Sequence, residues 1–319
     1  MRNVKFALQR ISIERIMSKY LIYILIPLFL FSACKSDKQK ESDFSQEFEI
    51  PDSVRYDGNL EISEQAMEEI VQNISSPVEI AALIKSLGVP YSKDYLATTD
   101  HVDTYNTSYK MALGLGIYGA DLGYQNMYNK TGSVLDYISA IKTLADGIRV
   151  GQFFDFTTLK RLVTNNQNLD SLMYISVQSF NQMDRYLREN NRGNLSSLIV
   201  AGIWIESMYL LGGVVKESPS AEIAEKIGEQ KIILSNLMLL LKNYDRDPKF
   251  KDLINDLDEI QTIYRDVTIT YEKGEPEAVE EDGMLVIKQN DKQFIEISNE
   301  TMMRIIDETS EIRNKIIHL

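Results

Sequence analysis

The chain has 319 residues, 44% of them hydrophobic, enough to build one large core or two smaller ones. Its formal net charge is −13 with no compensating basic stripe, which argues against nucleic acids and anionic lipid surfaces as partners. One cysteine leaves no disulfide framework, and two histidines, His101 in a polar stretch and His318 next to the end, argue against two-histidine metal sites and Ser-His-Asp arrangements.

The first 33 residues differ in kind from the rest. Leu21 to Phe31 is an unbroken apolar run of eleven residues preceded by Arg2, Lys5, Arg10, Arg15 and Lys19. A helix needs about 20 residues to cross a bilayer core of ~30 Å, so the run has the length of a signal-peptide core instead. Met17 offers a second start, placing Ser18-Lys19-Tyr20 directly before the apolar run. Behind it comes Phe31-Ser32-Ala33-Cys34, a large apolar residue, two small ones and the lone cysteine. This resembles the lipobox of bacterial lipoproteins, with Phe31 where leucine is usual. The resemblance implies cleavage before Cys34 and lipid on its thiol, and two or more acyl chains make such an anchor stable. It covers the signal and the cysteine alone; residues 60–319 resemble no characterised family.

Residues 34–59 are polar and interrupted by Pro51 and Gly58, too poor in aliphatics to fold alone, so they read as a flexible tether. Lys35 stands where an aspartate would resemble an inner-membrane retention signal, and Lys35-Ser36-Asp37-Lys38 resembles the surface-export signals of Bacteroidota lipoproteins. The resemblance implies an outer-membrane lipoprotein, on the periplasmic face or the cell surface. Residues 1–33 carry five basic and one acidic side chain, so the remaining 286 residues carry −17.

Residues 60–319 read as an all-α domain, an antiparallel helical bundle or stacked helix pairs. Apolar periodicity and helix punctuation predict helices near 61–74, 77–87, 104–130, 133–150, 157–192 with a break at 165–169, 194–215, 220–243, 248–266 and 299–317. Ser76-Pro77, Ser218-Pro219 and Asp247-Pro248 pair a capping side chain with a proline at the helix start, Ser133 marks another start, and Gly88 and Gly151 mark ends. The β-branched runs 267–271, 284–287 and 294–297 predict a small β-hairpin near 267–297. Glu275 to Asp282 carries five acidic residues and reads as a solvated loop, with a metal site as the alternative.

Two segments hold the candidate site. Ala112, Gly116, Gly119 and Gly123 fall on one helical face of small residues, which predicts a close helix–helix approach; no strand precedes them, as a phosphate-cradling loop requires. A second stripe of that helix holds Tyr118, Asp121, Gln125 and Tyr128. The helix at 194–215 is apolar nearly all round, hence central, yet contains Glu206 beside Trp204 and Tyr209. Gly116-Ile117-Tyr118 and Gly202-Ile203-Trp204 look alike, and an acid follows each.

A carboxylate in such surroundings must find a partner or hold a proton. Asp121 and Glu206 are therefore structural carboxylates, or the acids of a ligand pocket lined by Tyr118, Asp121, Gln125, Trp204 and Glu206, or a pair for acid/base chemistry on glycans. No catalytic, cofactor or metal residues are assigned. The functional expectation is a non-catalytic, membrane-anchored envelope lipoprotein whose helical domain binds a partner protein or small ligand. The alternatives are a glycan-active enzyme and a purely structural envelope component.

Overall fold

The computed structural model describes residue 81 and residues 84–130, 132–164, 169–217, 219–275, 277–281, 284–288 and 292–318. The signal, Cys34, the tether and the predicted helix at 61–74 lie outside them.

The domain is all-α with a small β-ribbon near its C-terminus. In chain order the helices are α1 (Ser108–Met127), α2 (Val134–Gly147), α3 (Phe156–Thr164), α4 (Leu169–Glu189), α5 (Gly193–Glu217), α6 (Ala221–Lys242), α7 (Pro248–Ile263) and α8 (Asn299–Ile317). Each packs on the next. Two rings of helices share α5: α1–α2–α3–α4–α5 on one side and α5–α6–α7–α8 on the other. The predicted central position of α5 holds. Its apolar stretch is long enough to cross a membrane, but 83% of it is buried inside the fold, as a core helix requires.

Local chemistry explains several helix ends. Asp247 caps α7 by accepting from the Lys249 amide, with Pro248 at the first position, as the sequence predicts. Gly88 ends the helical residues 84–86 at φ 72°, where a side chain would be strained. The start of α6 is capped by Ser220, which accepts from Ile223, rather than by the predicted Ser218.

Two other boundaries are corrected. The predicted helix at 104–130 begins only at Ser108, because Thr107 accepts from the Lys110 amide while Val102–Thr104 closes a separate 3-10 turn. Ser133 precedes α2 but does not cap it; its hydroxyl donates to Gln125 Oε1 instead, 2.5 Å away. The same helix stops at Gly147, four residues before the predicted Gly151, because Arg149 adopts φ 57° and the Val150 amide folds back on Ala145.

The ribbon is longer than a simple hairpin. Strands β1 (Thr268–Glu272) and β4 (Lys292–Glu296) pair antiparallel, and β2 (Glu277–Glu281) pairs with β3 (Met284–Lys288) beyond them. Glu272 lies opposite Lys292 while Glu277 lies opposite Lys288, so the register shifts by one residue between the two ladders. Most of the acidic segment expected as a loop is therefore strand β2. At the ribbon's base Ile295 lies over Gly228 of α6, where a Cβ would meet its Cγ2 at 2.3 Å. Lys231 Nζ fixes the entry by donating to the Val267 carbonyl at 2.6 Å.

Candidate functional site

The candidate acids are brought together by a glycine crossing. A Cβ on Gly116 would fall 2.2 Å from the Ile199 carbonyl oxygen, and one on Gly202 would fall 2.2 Å from that of Leu113. Only hydrogen fits at either position, so α1 and α5 approach backbone to backbone, as the small-residue face predicts. Gly119, expected on that face, meets nothing within 4 Å, so the contact is narrower than the sequence pattern.

Glu206 lies one turn after Gly202, and Asp121 lies just over a turn after Gly116. At the crossing both are fully buried, each with 0% exposure. Arg313 of α8 reaches in and clamps Glu206, Nε to Oε2 and Nη2 to Oε1, both 2.9 Å. Its guanidinium also lies 4.2 Å from the centre of the Tyr209 ring, which adds a cation–π contact. Asp121 Oδ2 accepts from the Ala97 amide at 2.9 Å, while Oδ1 is buried without a partner.

These contacts fix the protonation pattern. Burial drives the Asp121 carboxyl well above the usual carboxylate range, and the neighbouring Glu206 charge pushes it further; Arg313 and the Ala97 amide oppose this without reversing it. The protonated form of Asp121 is therefore favoured at this depth, more than for an exposed carboxyl. A neutral acid, a carboxylate and a guanidinium sum to no net charge, the arrangement that a dry interior tolerates best.

Above this cluster runs a strap, residues 89–107, of which the sequence leaves 89–103 between helices. Helix side chains tie it down. Tyr128 donates to the Val89 carbonyl at 2.6 Å, Tyr118 to that of Thr98 at 2.9 Å, and Tyr137 of α2 to that of Ala97. Tyr124 accepts from the Ser92 amide at 3.1 Å, and Tyr95 of the strap donates to the Gly213 carbonyl at 3.3 Å. Desolvation raises the Tyr118 and Tyr137 phenols and pushes Tyr124 up to about 12, so all three stay protonated and able to donate. The tyrosine-rich stripe of α1 is thus the row of pegs that holds the strap.

The five candidate pocket residues do not converge. Tyr118, Asp121 and Glu206 share the cluster. Gln125 binds Ser133 and, at 3.5 Å, the Asp121 carbonyl, while Trp204 points to α6 and donates to Gln230 Oε1 at 3.0 Å. Arg313 escaped the sequence reading, although it interrupts the stripe Met302, Ile306, Thr309, Ile316 on α8 and a lone cation there signals a buried acid elsewhere. A second buried pair, Asp184 and Arg188, was also missed.

Comparison with protein-family models, curated proteins and solved structures finds no match for this chain.

Proposed function

We propose that this chain is an outer-membrane lipoprotein, anchored through lipid on Cys34, whose helical domain binds a partner protein or a small ligand without catalysis. The observation that carries the anchor is the lone cysteine directly behind an eleven-residue apolar run with basic residues before it. A tether of polar residues then carries an acidic domain away from the bilayer, where neutral or cationic partners meet it most favourably.

Burial argues against catalysis at the acid pair. A glycosidic mechanism needs one carboxyl at each face of an exposed bond. Here both are sealed, one with its pKa driven up by burial and the other occupied by Arg313. The same sealed cluster also supports the purely structural reading of the domain.

The test is fractionation of cells expressing wild type and Cys34→Ala, with intact-mass analysis of the N-terminus. The proposal expects wild type to be cleaved, acylated and membrane-bound, and the variant to become soluble. An unmodified N-terminus, or a variant that stays with the membrane, rejects it. Cross-linking on intact envelopes then separates the two roles, because a partner-binding domain gives a discrete adduct and a structural one does not.

A further inference from the structure

Two opposite charges frame an exposed aromatic ring on strand β4. Side chains alternate along a strand, and here Lys292, Phe294 and Glu296 take the exposed face while Gln293 and Ile295 are half-buried. Ile295 packs on Gly228 of α6, so the half-buried face is the one turned to the helices. Phe294 keeps 48% of its surface in solvent. The register with β1 sets Glu272 opposite Lys292, Thr270 opposite Phe294 and Thr268 opposite Glu296, and all three β1 residues are exposed as well.

The other edge of β4 is open among the described residues. The sheet that contains it has two strands, β1 and β4. No backbone hydrogen bond from a helix or loop of the described residues reaches residues 292–296. Such an edge is a template for a further strand, and proteins commonly guard it with charge. A guard repels a second copy when its charges share one sign. Those of β4 have opposite signs and stand two residues to either side of Phe294.

Laid antiparallel against itself with Phe294 at the centre, β4 matches its own charges. Lys292 falls opposite Glu296 of the second copy, Glu296 opposite its Lys292, and the two Phe294 rings meet between them. Across the exposed face a row then runs Glu272, Lys292, Glu296 of the second copy, so the signs alternate. The edge of β1 offers no such match, because pairing it with itself around Thr270 sets Glu272 opposite Thr268.

We propose that two copies of this chain pair antiparallel along β4, around a two-fold axis at Phe294, to make a four-stranded sheet in the order β1–β4–β4–β1. Opposite charges and aromatic pairs directly across a ladder each add to its stability. The two-fold consumes both β4 edges, so the assembly does not grow through them. Five residues a side make a small interface, so the pair is reversible, with a Kd in the micromolar range. The pairing needs neither the anchor nor a foreign partner, and its failure leaves both of those readings where they stand.

Sedimentation velocity of the full-length chain carrying Cys34→Ala, so that no acyl chain drives association, tests this. At about 150 mM salt the repulsion between two acidic bodies is screened beyond about 8 Å. The parent chain is expected to pass from monomer to dimer as its concentration rises through the micromolar range. Glu296→Lys, whose neighbour within the ribbon is the neutral Thr268, brings like charges together twice and is expected to weaken the dimer about ten-fold or more. Lys292→Glu does the same with the opposite sign. Mixed in equal amounts, the two variants are expected to recover the dimer, because each then meets the charge it lacks. Neither misfolding nor association through the apolar run of residues 21–31 produces that recovery. A parent chain that stays monomeric, a Glu296→Lys chain that dimerises like its parent, a mixture no tighter than its components, or species growing beyond the dimer each overturns the pairing.

Discussion

Arg313 and Glu206 lie 107 residues apart in sequence and meet through two 2.9 Å hydrogen bonds between the last helix and the central one. The clamp joins α8 to α5 at a depth where Glu206 is fully buried. Removing one partner of such a pair leaves a buried charge uncompensated, which costs about 3–5 kcal/mol, whereas removing both costs far less. Arg313→Met is therefore expected to lose most of that amount in urea unfolding, and Arg313→Met with Glu206→Leu to recover much of it. A double variant no more stable than the single one would show that the pair does not form in solution.

Asp121 gives the fold a signed pH dependence. Its folded-state pKa is raised, so the stability it contributes is complete below the unfolded value of about 4. That contribution is lost as pH rises through the folded value, because the folded state binds the extra proton. Asp121→Asn mimics the protonated acid, keeping an acceptor for the Ala97 amide and a donor toward Glu206. Its stability relative to wild type should rise as pH climbs above about 4 and level off once the folded value is passed. Asp121→Ala, which leaves the Ala97 amide without its acceptor, should lose about 1–3 kcal/mol. Parallel melting curves for wild type and Asp121→Asn across that range would place the proton elsewhere.

The strap's ties should be separable from the helices they rest on. Tyr137→Phe leaves the buried Ala97 carbonyl without its donor, at a cost of about 1 kcal/mol, and the loss falls on a segment held by only two single 3-10 turns of its own. Hydrogen exchange is expected to quicken at the amides of Ser92 and Ala97 and to stay unchanged within α5. Uniform acceleration across α1, α2 and α5 would mean that the strap is part of the global unfolding unit.

How much of this was legible depends on the range of the interaction. Helix α7 was readable because Asp247 and Pro248 act on the next turn of the same chain. The glycine crossing was readable on one side, since Gly116 lies in a stripe, but its partner Gly202 has only a likeness of tripeptides to mark it. Ser133 looked like a cap, yet its hydroxyl goes to Gln125, eight residues back on another helix, where a tertiary bond outcompetes the local one. The strap was invisible for a related reason. Its order is imposed by tyrosines on α1 and α2, and its own sequence carries no period. Glu206 stood out as a charge in an apolar helix but Arg313 did not, and sequence spacing alone does not match one such charge to another.

The glycines of α1 give opposite signs for one substitution. Alanine at Gly116 or Gly202 places a methyl 2.2 Å from a backbone oxygen of the facing helix, and backbone cannot turn aside as a side chain can. The helices must part and loosen the cluster beneath them, at a cost of about 1–3 kcal/mol or more. Gly119 lies on the same helix, three residues on from Gly116, with nothing within 4 Å of its absent Cβ, and its backbone is helical. There alanine only restores helix propensity, a gain of about 1 kcal/mol. Thermal melts should order the variants Gly119→Ala above wild type and wild type above Gly116→Ala. If Gly116→Ala melts with wild type, the two helices lie farther apart than this packing requires, and the buried cluster of Asp121, Glu206 and Arg313 has room for water.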